Sequence, residues 1–161
     1  MILALTFILL QIVTPTNNSI TKNGMTVEWT FKDENQINFK LTSPSNGWVA
    51  IGLNTKKQLV GSNLIMVGVS EKHEVISDRY IISIGNHQSI EDLGGKASTQ
   101  LLSAKNDNGG TTVEFTLSTK ATDAYHLNLE KGKKIHLIMA YSHDDDFMHH
   151  SAMRTSLEII L

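Results

Sequence analysis

The chain has 161 residues, 40% of them hydrophobic and 19% charged, and its 14 Lys+Arg against 16 Asp+Glu give a formal charge of −2. That suits one globular domain with a core large enough to fold unaided, and the lack of a basic block argues against nucleic-acid binding. With no cysteine, disulfides, thiolate nucleophiles, iron–sulfur clusters, covalent haem attachment and a lipid-modified cysteine are excluded. Any metal or haem must be held by His, Met, Asp, Glu or Lys.

Residues 2–13 carry no charge and only two polar side chains, Thr6 and Gln11. A bilayer span needs about 20 apolar residues, so this run reads as the apolar centre of an export signal covering residues 1–19, ahead of a single domain over 20–161. The protein is then expected outside the cell or in the periplasm. The same Ile, Leu, Phe and Val residues would also suit a core strand. Asn17, followed by Asn18 and Ser19, has the pattern of a glycan acceptor.

Beyond residue 24 apolar and polar residues alternate in short runs punctuated by Gly, Asn and Asp, the period-2 pattern of half-buried antiparallel strands. Nine strands are predicted, over 25–31, 36–41, 48–53, 63–69, 75–84, 99–105, 112–117, 135–141 and 153–161, which suggests an all-β sandwich. Residues 32–35 and 106–110 have the composition of hairpin turns. Only 117–129 has a pattern that a short helix could adopt. No repeat, low-complexity tract or linker divides the chain.

The most unusual segment lies between the last two predicted strands. His143, His149 and His150, the run Asp144-Asp145-Asp146, and Met148 and Met153 fall close together there, on a loop that a rigid sandwich can display. If residues 148–154 begin extended, His149 and His150 point to opposite faces and at most one enters a pocket. The Asp run offers hard oxygen ligands for calcium but lacks the alternating spacing of a compact calcium loop, and zinc would need three or four converging ligands. A thioether is a soft ligand, and a Met/His pair is one established axial set for haem. Met66 lies in a strongly apolar strand, where on its own it reads first as core filling, as does Met139. No nucleophile elbow, P-loop, dinucleotide fingerprint or paired-carboxylate arrangement is present, so the chain is not expected to be an enzyme.

The order and spacing of Trp29, Asn46-Gly47-Trp48-Val49-Ala50-Ile51-Gly52-Leu53, Gly61-Ser62-Asn63-Leu64-Ile65-Met66-Val67-Gly68, Ile76-Ser77-Asp78-Arg79-Tyr80 and Ile138-Met139-Ala140-Tyr141-Ser142 followed by His150 resemble a DOMON domain. This module stands at the start of dopamine β-monooxygenase-like proteins and forms the cytochrome part of cellobiose dehydrogenase. The resemblance implies an immunoglobulin-like β-sandwich, usually outside the cytoplasm, that binds b-type haem in many members and is proposed to bind sugars in others. It matches His150 to one axial ligand, with His149 as the neighbouring alternative. It also places Leu59 where the haem-ligating Met stands in the family, and Asn63 where Asp is usual. Leu cannot ligate iron, so Met66, Met25, Lys56 or Lys57 would have to take that place, or the haem would be five-coordinate or absent.

Two functions follow as expectations. The first is a haem b module exchanging electrons with a separate redox protein or a membrane cytochrome, with His150 and Met66 on the iron and Trp48, Tyr141, Phe147 and Met148 around it. The second is a non-redox module holding a sugar, another small molecule or calcium, in which His149, His150 and Arg154 make hydrogen bonds. A small secreted interaction domain is a third.

Overall fold

The computed structural model describes residues 18–69 and 74–161. Eleven strands account for the architecture: β1 (Asn18–Lys22), β2 (Met25–Phe31), β3 (Gln36–Ser43), β4 (Val49–Asn54), β5 (Asn63–Val69), β6 (Glu74–Ser83), β7 (Asn86–Ser89), β8 (Thr99–Asp107), β9 (Gly110–Ser118), β10 (Lys134–Tyr141) and β11 (Met153–Ile160). They form a five-stranded sheet in the order β1-β2-β3-β9-β8 and a six-stranded sheet in the order β11-β10-β4-β5-β6-β7. Every pairing is antiparallel.

The alternation in the sequence dictates how the sheets meet. Met25, Val27 and Trp29 of β2, Ile37, Phe39 and Leu41 of β3, and Val113, Phe115 and Leu117 of β9 point inward from the first sheet. Val49, Ile51 and Leu53 of β4, Ile65 and Val67 of β5, and Leu137 and Met139 of β10 meet them from the second. Phe39 and Phe115, paired across β3 and β9, stack with ring centroids 5.7 Å apart, a contact that adds to their area burial. Strand β4 is buried along its whole length. Burial on both faces of an antiparallel strand means that something also covers the outside of this sheet, and that cover is where the site lies.

The nine predicted strands are all present, two of them, β2 and β5, with the expected limits. The turns at 32–35 and 106–110 join β2 to β3 and β8 to β9 as hairpins. Two further strands, β1 and β7, were not expected, because both are short and polar and lack an apolar alternation. The segment 117–129, where a short helix was possible, forms none. Its backbone N–H groups are drawn elsewhere: Thr119 donates to Asn35 O, Leu129 to Thr119 O, Ala121 to Asn128 Oδ1 and Tyr125 to Asp123 Oδ1. The apolar run at 2–13 lies outside the described residues, and β1 begins at Asn18. Among the described residues no helix is long and apolar enough to cross a membrane.

Candidate functional site: a pocket outside the six-stranded sheet

On the outer face of this sheet a second apolar cluster is built from residues that alternate with the inner core. Trp48, Ala50 of β4, Leu64 and Met66 of β5, Ile81 of β6 and Ala140 of β10 are buried there, with Leu59 and Phe147 packed against them. Met66 stands opposite Ala50, and Ala50 opposite Ala140. Two alanines beside one methionine leave a hollow in the sheet surface, and a cavity of about 130 Å³ occupies it.

The roof is the connection from β10 to β11. Its start is fastened to the segment before β4: Trp48 N donates to Asp144 O at 3.1 Å and Ser142 N donates to Trp48 O at 2.9 Å. Gly47 permits this approach, since a Cβ there would sit 2.5 Å from Ser142 O and against the backbone of Asp144. The Asp run shapes the loop from within. Asp144 Oδ1 accepts from Asp146 N at 2.8 Å, Asp146 Oδ1 accepts from Met148 N at 2.9 Å, and Asp145 Oδ1 reaches across to Val69 N at 3.3 Å. These are turn-forming contacts of the kind Asp commonly makes. Burial, aided by the charge of Asp144, pushes the Asp145 carboxyl up against the opposing pull of Val69 N–H. Among the described residues no three His, Cys, Asp or Glu side chains converge as a metal would require.

Seven of the eight residues singled out in the sequence meet at this cavity: Trp48, Met66, Phe147, Met148, His149, His150 and Arg154 line it. Tyr141 does not. It follows Ala140 by one residue, so strand alternation turns it to the opposite face, where it packs against the inner core and lies edge-on to His143 with centroids 6.4 Å apart. His149 and His150 were expected on opposite faces; both line the cavity, because residues ahead of β11 form a turn, closed by His149 N donating to Asp146 O, rather than extended chain. Leu59 also lines the pocket and so occupies a position facing the site without a donor atom. Met25 is fully buried in the inner core and cannot reach the pocket. Lys56 is exposed, and Lys57 lines a neighbouring groove.

Two features of the pocket had no sequence signal. The Trp48 indole N–H is buried and has no acceptor among the described residues; an unmet buried donor costs about 1–3 kcal/mol, which an acceptor on a bound molecule would recover. His87, on β7, lines the opposite wall. Arg79 Nε donates to its Nδ1 at 2.7 Å, and Arg79 Nη2 to its backbone oxygen at 3.2 Å. Burial, reinforced by the guanidinium, pushes the imidazole down, so His87 is neutral with its proton on Nε2. With Nδ1 occupied and Nε2 protonated, His87 serves as a hydrogen-bond donor and not as a metal ligand.

A family model described as DOMON domain matches residues 21–142. A DBH-like monooxygenase protein 2 of Mus musculus is 26% identical over 121 residues, and a protein of that name in Homo sapiens is 28% identical over 125. These matches take in 74% and 76% of this chain but only 19% and 24% of the relatives' length. Among solved structures, the cytochrome b domain of pyranose dehydrogenase from Coprinopsis cinerea superposes with a TM-score of 0.66 at 10% identity, over 91% of this chain and 88% of that one. The cytochrome domain of Myriococcum thermophilum cellobiose dehydrogenase gives 0.60 at 12% identity, over 91% and 82%.

Proposed function

The chain belongs to the DOMON domain family, and from that premise we propose that it is an exported haem b-binding module that passes electrons to and from a separate redox protein or a membrane cytochrome. The observation that carries the reading is the meeting of a thioether, two imidazoles and a guanidinium at one apolar hollow: Met66 from its floor, His149 and His150 from its roof, and Arg154 at its edge.

The donor set fits the group. Met66, only 2% exposed, presents sulfur within an apolar wall, and thioether with imidazole is an axial pair that favours a high potential. His150 and Met66 are the residues that would hold the iron, with His149 adjacent. Trp48, Leu64, Ile81 and Phe147, which line the pocket, would exclude water from a bound haem, while Arg154 and the unmet Trp48 N–H would suit its carboxylates. The cavity of about 130 Å³ is smaller than the ~300 Å³ at which pockets begin to enclose a sizeable ligand, so binding entails outward movement of Phe147 and the loop that carries it. A haem held there supplies one reversible electron; the chain contributes ligands, dielectric and orientation and performs no substrate chemistry of its own.

The test is a hemin titration followed by visible absorption in oxidised and reduced forms. A saturable Soret band with sharp reduced α and β bands is expected, lost in His150→Ala while the circular dichroism of the fold persists. An unchanged Soret band in that variant removes His150 as a ligand, and absence of saturable binding overturns the reading. One observation favours a second reading, a non-redox module holding a sugar or other small molecule: Leu59, at the family's methionine position, lines the pocket and offers nothing to iron.

A further inference from the structure

Next to the apolar pocket the outer face of the sheet carries a groove of different character. It is about 290 Å³ in volume, shares Leu59, Ile138 and Arg154 with the pocket, and is otherwise lined by polar groups, among them Lys57, Gln58, His136, Thr155 and Ser156. No carboxylate lines it. The groove continues past His136 into a further hollow of about 300 Å³, where Glu158 is engaged by Lys134 at 2.8 Å. Lys57 and Arg154 make no ion pair among the described residues.

His136 is the informative member. It alternates with Ile138 and Ala140 on the outward face of β10, opposite Asn54 of β4 and Glu158 of β11. The residue is 6% exposed, its ring makes no hydrogen bond among the described residues, and neither ring nitrogen is a fully buried atom left without a partner, so the polar edge of the imidazole is open to the groove. Burial, and then the charge of Lys57, push this imidazole down against the weaker pull of Glu158, leaving a neutral ring with one N–H to donate at neutral pH.

We propose that this groove binds an oxyanion, a carboxylate or phosphate. Lys57 and Arg154 supply the charge, and the His136 N–H and the hydroxyl of Ser156, which faces outward opposite Ile138, supply directed hydrogen bonds. Because the groove opens onto the apolar pocket through Leu59, Ile138 and Arg154, the oxyanion is either free or the polar end of a molecule whose apolar body lies against Met66. Of the two cations Arg154 is shared with the pocket, whereas Lys57 belongs to the groove and not to the pocket.

The experiment is a titration of the full chain with inorganic phosphate, followed through the imidazole nitrogens by heteronuclear NMR, with sodium chloride at matched ionic strength as control. His136 is expected to shift saturably, with the midpoint raised at least tenfold in Lys57→Gln, a change at an exposed position that leaves the fold intact. Parallel titrations with acetate and decanoate separate the two sources. Decanoate binding at least tenfold tighter, with a matching shift of the Met66 methyl, assigns the oxyanion to a molecule spanning both cavities; equal affinities assign it to a free anion. No saturable His136 response to phosphate, acetate or decanoate overturns the proposal, as does a midpoint that Lys57→Gln leaves unchanged.

Discussion

Asp78 ties β6 to β5, to the residue ahead of β8 and to the segment that follows β9, and Asp78→Asn measures how strongly. The residue is 4% exposed, and its carboxylate accepts four contacts: Asn63 Nδ2 at 2.6 Å, Ser98 N at 2.8 Å, Ser98 Oγ at 3.1 Å and His126 Nε2 at 3.1 Å. His126 is held on its other side by Asp123 Oδ1 at 2.7 Å. Burial alone would push this imidazole down; the two carboxylates outweigh burial and raise it. Burial likewise pushes the Asp123 carboxyl up, and the Tyr125 N–H and His126 outweigh it and bring it down. The signs follow. A raised histidine stabilises the fold fully below its ordinary value, about 6.5, and this contribution is lost as pH rises through the folded value. A depressed carboxyl stabilises above its ordinary value, about 3.8, and loses that as pH falls. One differential proton limits the slope to about 1.4 kcal/mol per pH unit. His87 and His136, both lowered, act below about 6.5 with the opposite sign, so the range from pH 7 to 9 isolates His126. Urea unfolding across that range is expected to show stability falling with pH in the parent. Asp78→Asn should weaken that slope and remove about 3–5 kcal/mol near pH 7, the usual cost of breaking a buried pair. A flat parent profile, or a slope that Asp78→Asn leaves intact, would refute the coupling.

Two further outcomes bear on the pocket. Gly47→Ala places a methyl group 2.5 Å from Ser142 O, and the displaced loop should cost about 1–3 kcal/mol and weaken hemin binding at least tenfold, read by chemical unfolding and by titration. Met66→Leu conserves volume and should cost less than about 1.5 kcal/mol while removing the sulfur; if Met66 ligates iron, the reduced spectrum becomes five-coordinate, and an unchanged spectrum removes Met66 from the ligand set.

Most of the fold was legible because β2, β3 and the first part of β9 are buried on one side, which writes a period of two into the sequence, while β4, β5 and β10, buried on both, stand out as short apolar runs. Where neither pattern is present the signal fails. Strand β7, Asn86–Ser89, is four polar residues held by pairing to β6, and nothing in its own pattern announces it. Met66 shows the converse limit: Asn63-Leu64-Ile65-Met66-Val67 reads as one apolar run because Ile65 and Val67 fill the inner core while Leu64 and Met66 face the pocket. Periodicity cannot separate those destinations when both are apolar. The parity of β10 was available and would have placed Tyr141 inward and grouped His136 with Ile138 and Ala140. His87 depends on its contact with Arg79, which no spacing rule reveals.

The position of the site follows from the same packing. Between the sheets the space is filled by large residues in register, the Phe39–Phe115 stack among them, and a close-packed interior has no room for a ligand. Outside the second sheet the residues that alternate with that core become small at the centre: Ala50 and Ala140 stand in register, and Gly68 lies where a Cβ would come within 3.2 Å of Phe147 Cε1. Small residues beside Trp48 and Met66 create a concavity that the sheet's strands cannot fill. The covering loop enters it with one ring, Phe147, and is fastened to Trp48 and Tyr141 near its ends and to Val69 through Asp145. A close-packed sheet floor under a loop joined to it at a few backbone contacts means that any enlargement of this hollow costs less by moving the loop and Phe147 than by moving the sheet.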